Sequence, residues 1–219
     1  MSHMHQRAIR KVVRRGIPTL TNKAFTPETP PPKGTTRDRI LDAAILRFSR
    51  HSYEATGLRD IAADVGVDVA YVHRCFGSKE RLFAAAVEAT FRPELMLTGE
   101  ADDLAATLAR ELLNPADGYG PNEVRRLDIV IHSLSSADAS RVLRDVVERS
   151  FIAPLAARLG HTDALNASLI TALLAGTGIL RTVLGIAPLQ EMEGGRLEAM
   201  MAAALGGIIA SAAATKPAA

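Results

Sequence analysis

Over the first 35 residues the only helical spacing is Ile9, Val12 and Val13, which allows a short basic helix over His5 to Arg15 or disorder there, and apolar positions fall into sustained helical register from Thr36 onward. Ile40, Leu41, Ala44, Ile45 and Phe48 recur at i, i+1, i+4, i+5 and i+8, a single helical stripe, while Arg37, Asp38, Arg47 and Arg50 lie off it. Thr35 with Asp38 three residues later forms a capping-box start. Leu58, Ile61, Ala62 and Val65 predict a second short helix that stops at Gly66, because glycine takes the positive φ of a tight turn at no steric cost. Asp68 is placed to cap a third helix with Val72 and Phe76 one turn apart on its inner side. Gly77 breaks that helix, and Ser78 caps a fourth that runs to about Phe91, just before Pro93.

The second and third helices, joined by a glycine-centred turn, make a helix-turn-helix unit over about residues 57–76. Such a unit holds two helices at a fixed crossing and lets the second enter a major groove. A compact bundle can contain the same turn for structural reasons alone, so spacing by itself leaves both readings open. Beyond Pro93 the pattern predicts helices near 99–113, 122–135, 139–159, 162–184 and 193–211, interrupted at Asn114-Pro115, Gly160 and the stretch from Gly185 to Pro188. The fold class expected is all-α: a three-helix helix-turn-helix domain followed by a helical bundle, with boundaries 1–35 for an arm, 36–92 for the first domain and 93–219 for the second.

Composition narrows the alternatives. With 47% hydrophobic residues, 4% aromatics and no Trp, the bulk of the chain is not intrinsically disordered and a β-sandwich is disfavoured. A single cysteine, Cys75, excludes an intrachain disulfide and a cysteine-rich zinc module, which fits a cytoplasmic setting. The net charge of +2 conceals a gradient: +6 over residues 1–36, +1 over 37–92 and −5 over 93–219. Within the arm, the stretch from Thr26 to Gly34 holds four prolines, Pro27, Pro30, Pro31 and Pro32, which keep it extended. A basic leading end on an acidic body points to a polyanion met from the N-terminal side. The arm lacks both the apolar run of a secretory signal and the serine enrichment of a transit peptide, and is read as part of the mature chain.

The residues themselves are more specific than their periodicity. Arg37-Asp-Arg-Ile-Leu-Asp-Ala-Ala-Ile-Leu-Arg-Phe48, Tyr53-Glu-Ala-Thr-Gly-Leu-Arg-Asp-Ile-Ala62, Val65-Gly-Val67 and Phe76-Gly-Ser-Lys-Glu-Arg-Leu82 resemble, in order and spacing, the N-terminal domain of the tetracycline-repressor (TetR) family. The stretch Leu180-Arg-Thr-Val-Leu-Gly-Ile-Ala-Pro-Leu189 resembles the C-terminal domain of a group of actinobacterial members. The resemblance implies a DNA-binding transcriptional regulator: a homodimer, most simply a repressor, placing its third helices in successive major grooves of a near-palindromic operator about 34–36 Å apart. It also implies pairing of the last two long helices with their mates, and a small, mainly hydrophobic effector inside each bundle. By position, Val69, Ala70 and Tyr71 match base-edge contacts and Arg59 a guanine contact, since a guanidinium bonds guanine O6 and N7 together. His73 and Lys79 match phosphate contacts, and Arg74 adds a third by helical phase. Met96, Leu104, Leu108, Leu127, Ile131, His132, Leu173 and Thr177 are the candidate effector-pocket residues, each equally readable as ordinary core.

Four positions depart from the family pattern. Gly57 stands where Thr or Ser opens the second helix, Asp68 replaces Ser or Thr, His73 replaces Tyr, and Cys75 stands where His or Tyr touches phosphate. A carboxylate at 68 caps well but is repelled by phosphate unless it accepts from a cytosine amine. Cys75 reads as a small packed residue ahead of a redox sensor. The six histidines show no metal-ligand spacing, no cofactor is implied, and Ser133 to Asp138 form a helix junction, not a nucleophile elbow. Small residues (Ala172, Ala175, Gly176, Gly178, Ala202 to Ala204, Gly206 and Gly207) permit close pairing of the last two helices. The uncharged run 199–215 is too alanine-rich to be read as a membrane span. The alternatives kept are a DNA-binding regulator without an effector, and an all-helical binding protein or enzyme whose turn motif is structural.

Overall fold

Four helices follow one another where the periodicities place them: α1 (Thr36–Arg50), α2 (Leu58–Val65), α3 (Val69–Phe76) and α4 (Lys79–Phe91). In this computed structural model the described residues are 34–92, 97, 104–113, 127–160, 164–190 and 195–214, so the basic arm at 1–33 and Met96 lie outside them. Each start is capped. The Thr35 hydroxyl accepts from Asp38 N–H at 3.2 Å while Asp38 Oδ2 accepts from Thr35 N–H at 2.9 Å. Gly57 supplies no hydroxyl, yet its N–H donates to Asp60 Oδ2 at 2.9 Å, preserving the reciprocal half of that motif. Asp68 Oδ1 accepts from Ala70 N–H at 2.6 Å, and Ser78 Oγ from Arg81 N–H at 3.3 Å. The two turns flanking α3 use glycine where the backbone requires it: φ is 73° at Gly66 and 82° at Gly77.

The bundle continues with α5 (Leu104–Leu113), a short α6 (Asp128–Ile131) and α7 (Ala137–Val147), which passes through a π-helical turn (Glu148–Ile152) into α8 (Ala153–Arg158). Next come α9 (Leu165–Gly178), leading directly into a second π-helical turn (Ile179–Val183), then α10 (Ala187–Gln190) and α11 (Arg196–Ala214). Three details differ from the periodicity. The helix expected over 122–135 ends at Ile131 because Ser133 and Leu134 fold back onto the Val130 carbonyl at 3.0 and 3.1 Å, which frees Ser136 to cap α7 through Ala139 N–H at 3.2 Å. The long helices near 139–159 and 162–184 each contain a wider turn, which a fixed 3.6-residue period cannot register. The stretch around Pro188, expected as a break, carries a short helix.

Gly34–Ala219 forms one compact unit with two apolar cores. The first gathers α1 to α4 around Phe48, Tyr53 and Phe83, whose rings meet at 4.9 Å (Phe48–Phe83) and 5.1 Å (Tyr53–Phe83), both edge to face. It extends past residue 92 to take in Ile129, Ala139, Leu143 and Val146. The second joins Leu104, Leu108, Leu155, Ile170, Met201 and Leu205 from α5, α8, α9 and α11. One helical run among the described residues, Leu165–Val183, is long and apolar enough by length and composition to cross a membrane. Arg181 lies buried within it, bonding Leu112 C=O at 3.4 Å.

Candidate nucleic-acid interface and the cavity behind it

The orientation of α3 is set from behind and from one side. Val72 and Phe76 are buried, and two arginines of α1 fix α2: Arg39 Nη2 donates to Val65 C=O at 2.8 Å, and Arg47 grips the Asp64 carboxylate with both its Nε and its Nη2. That hydrogen-bonded guanidinium holds the Asp64 carboxyl below its ordinary range. The Arg37 guanidinium packs over the Phe76 ring at 4.6 Å. Periodicity marked Arg37 and Arg47 only as off-stripe positions and did not single out Arg39, and nothing in the pattern paired any of them with α2 or α3.

The outer side of α3 is short and polar. Ala70, His73 and Arg74 are exposed, Val69, Tyr71 and Cys75 are half-buried, and Arg59 of α2 is exposed nearby in sequence. Arg74 stacks its guanidinium 5.3 Å from the Tyr71 ring centre, which orders both side chains on one surface. The ring nitrogen Nδ1 of His73 lies 2.9 Å from Gly77 C=O. Lys79, the first residue of α4, has its ammonium 4.1 Å from the centre of the Tyr53 ring. Burial, followed by the charge of Glu80, pushes the Tyr53 hydroxyl up to about 12. Cys75 packs against the first core, and the Asp68 carboxylate is engaged in its cap.

Behind this domain lies a cavity of about 390 Å³ with a largely apolar lining. Val87 and Phe91 of α4, Leu108 and Leu112 of α5, Leu127 and Val130, Leu143 and Val147 of α7, Leu155, and Leu174 and Gly178 of α9 contribute to it. The first π-turn brings Phe151 to the same wall, where it meets Phe91 edge to face at 5.9 Å. Polar groups are few: Glu111, Ser140, Arg144, Thr171 and Thr182. Of the residues singled out from sequence, Leu108 and Leu127 line the cavity. Leu104 and Leu173 belong to the adjoining second core, and Thr177 bonds Met201 Sδ at 3.7 Å. Ile131 is half-buried, and His132 is exposed. Phe91 and Phe151, an aromatic pair in a chain with few aromatics, were the available signal for the wall that the sequence reading missed.

Glu88, one turn before the end of α4, accepts from Arg149 Nη2 at 2.7 Å and from Ser150 Oγ at 2.8 Å, both in the π-turn that carries Phe151. A second tie joins Ser136 Oγ to Glu54 Oε1 at 2.5 Å.

Two family models match the chain: "Bacterial regulatory proteins, tetR family" over residues 40–86 and "Tetracyclin repressor-like, C-terminal domain" over 102–209, together well over half its length. Among solved structures, a TetR-family regulator from Streptomyces coelicolor is 27% identical, with 80% of this chain and 94% of that one covered at a TM-score of 0.55. A second TetR-family member from the same organism is 23% identical, covering 80% and 98% at a TM-score of 0.56. The multidrug binding protein EbrR, complexed with ethidium, shares the fold at 23% identity, 80% and 98% coverage and a TM-score of 0.56. No curated protein matches the sequence. A capped helix-turn-helix with an exposed, cation-bearing third helix, set on a C-terminal helical bundle and matched by models at both ends, identifies this chain as a member of the TetR family of DNA-binding transcriptional regulators, which are not enzymes.

Proposed function

We propose that the chain acts in the cytoplasm as a homodimeric repressor that leaves a palindromic operator when a small, mainly hydrophobic effector fills the bundle. In this reading residues 36–92 bind DNA and 93–219 bind effector and partner. The observation that carries it is the double use of α4: Lys79 opens that helix beside the proposed DNA surface, and Val87 and Phe91 end it in the wall of the cavity. A body entering the cavity must displace Phe91 or Phe151, and Glu88 ties that wall to α4. Effector and operator then oppose each other reciprocally, by about 1–3 kcal/mol. EbrR, of the same fold, is complexed with ethidium, a flat aromatic cation, which is consistent with occupation of the bundle by a small planar molecule.

Val69, Ala70 and Tyr71 read base edges, Arg59 reads guanine, and His73, Arg74 and Lys79 hold phosphates. The basic arm adds minor-groove or phosphate contacts. Pairing of subunits uses the outer faces of α9, of the π-helical turn and Leu184 that follow it, and of α11, where Leu165, Leu169, Leu180, Leu184 and Met200 are exposed.

The test is fluorescence anisotropy on a duplex from the flank of the chain's own gene. Arg59→Ala is expected to weaken binding by about 1–3 kcal/mol and to relax preference at one base pair. Lys79→Ala is expected to weaken it on every sequence and to flatten the salt slope by about one unit per half-site. Unchanged affinity and slope in the double variant would favour a structural turn motif instead.

A further inference from the structure

We infer that operator binding by this chain takes up protons at His73, so that its DNA affinity rises as pH falls. The inference rests on the DNA-binding reading above and concerns one atom of that surface. Gly77, at φ 82°, ends α3 by donating its N–H to His73 C=O at 2.8 Å, and its own carbonyl lies 2.9 Å from His73 Nδ1. A carbonyl oxygen only accepts, so Nδ1 must carry the proton. In the neutral ring the single N–H is thereby spent on Gly77, and Nε2 is left as an acceptor. A phosphate is also an acceptor. The neutral, Gly77-bound ring therefore cannot hold one, whereas the imidazolium donates from both nitrogens and can keep Gly77 while bonding phosphate. A tyrosine hydroxyl in the same place would donate at any pH below its own ionisation, so the departure to His is what introduces the proton.

The charged groups around His73 leave that role to the nucleic acid. On α3 itself stand Arg74, stacked on Tyr71, and the Asp68 carboxylate, bonded to Ala70 N–H. From α1 comes Arg37 over Phe76, and from α2 the exposed Arg59, Asp60 bonded to Gly57 N–H and Asp64 held by Arg47. From α4 come Lys79 over Tyr53, Arg81 beside Gly77, and Glu80, held below the ordinary carboxylate range first by its hydrogen bond with Ser78. Asp60, Asp68 and Glu80 are thus engaged in helix caps and Asp64 with Arg47, and the remaining groups named are cations. The anion that completes an imidazolium at His73 is the phosphate.

The experiment measures affinity of the full chain for the same duplex between pH 6 and pH 8 at several salt concentrations. Wild type is expected to bind about tenfold more tightly at pH 6 and to show a salt slope steeper by about two, one phosphate contact per half-site. His73→Gln, whose amide donates without titrating, is expected to lose both the pH dependence and the change of slope. A chain with His3, His5, His51, His132 and His161 replaced by Gln is expected to retain them, and proton NMR of its remaining imidazole should titrate at higher pH with the duplex bound. Parallel pH profiles for wild type and His73→Gln, or an imidazole whose titration the duplex leaves unmoved, would overturn the inference while leaving the DNA-binding reading intact. Absence of binding at every pH would overturn both.

Discussion

Tyr53 shows how one side chain is held by the demands of two neighbours. It fills the first core against Phe48 and Phe83, and offers its ring face to the Lys79 ammonium. Because its ionisation is raised from 10.0 to about 12, the neutral phenol is favoured by folding, and that contribution is complete below pH 10 and lost as pH climbs towards 12. Absorbance titration of tyrosinate should show a late component near pH 12 that Tyr53→Phe removes. Asp64 behaves in the opposite sense. Its folded value lies below 3.8, so the Arg47 pair contributes above that pH and the contribution disappears on acidification through the lower folded value. With the Asp64 side chain 40% exposed, solvent screens the pair and the effect is small. Asp64→Asn should flatten the acid limb of a stability-pH curve without moving its plateau by more than about 1 kcal/mol.

At the scale of elements, α3 depends on a cap that is also a charge. Asp68→Ser should keep the hydrogen bond to Ala70 N–H, leave the melting temperature nearly unchanged and tighten DNA binding at low salt, whereas Asp68→Ala should cost about 1 kcal/mol of stability. Both outcomes are read by thermal melting beside anisotropy. The first four helices were legible because each is short, bounded by a capping residue or glycine, and apolar on one side only. The inner faces of the later helices were not, for a reason visible in α9: Leu-Asn-Ala-Ser-Leu-Ile-Thr-Ala-Leu-Leu-Ala-Gly-Thr-Gly spreads its apolar and its few polar residues round the whole circumference and gives no stripe from which to choose an inner face. Leu173 and Thr177 were picked for the cavity, and their neighbours Leu174 and Gly178, one residue further round, line it. Gly178 was likewise read as an interface residue. A Cβ there would come within 2.8 Å of Leu127, so its smallness serves the interior, while Gly176, Gly206 and Gly207 meet open space.

The whole molecule couples three surfaces: a cationic one at α3, an enclosed apolar one, and an uncovered apolar one on α9 and α11. If the last is where subunits pair, Leu169→Glu together with Met200→Glu should give a monomer by sedimentation that retains its helical content and loses tight operator binding, because half-sites are no longer gripped together. A dimer that survives both charges would place the pairing elsewhere. That the two cores share one compact unit was not legible in the residues, since Ile129, Ala139, Leu143 and Val146 join the first core from a distance in sequence that no local period records.

Each of the two wide turns amounts to one amino acid more than a regular helix would use over the same length. Removing a single residue from Glu148–Ile152 would let the spiral tighten to a regular turn over the same length and leave everything downstream close to its present phase. Leu155 and Ala156 would keep their places in the second core, whereas the same deletion inside α7 would swing everything after it by about 100°. A one-residue deletion inside Glu148–Ile152 is therefore expected to be far better tolerated than one inside α7, and a library of deletions scored for soluble expression would show that asymmetry directly.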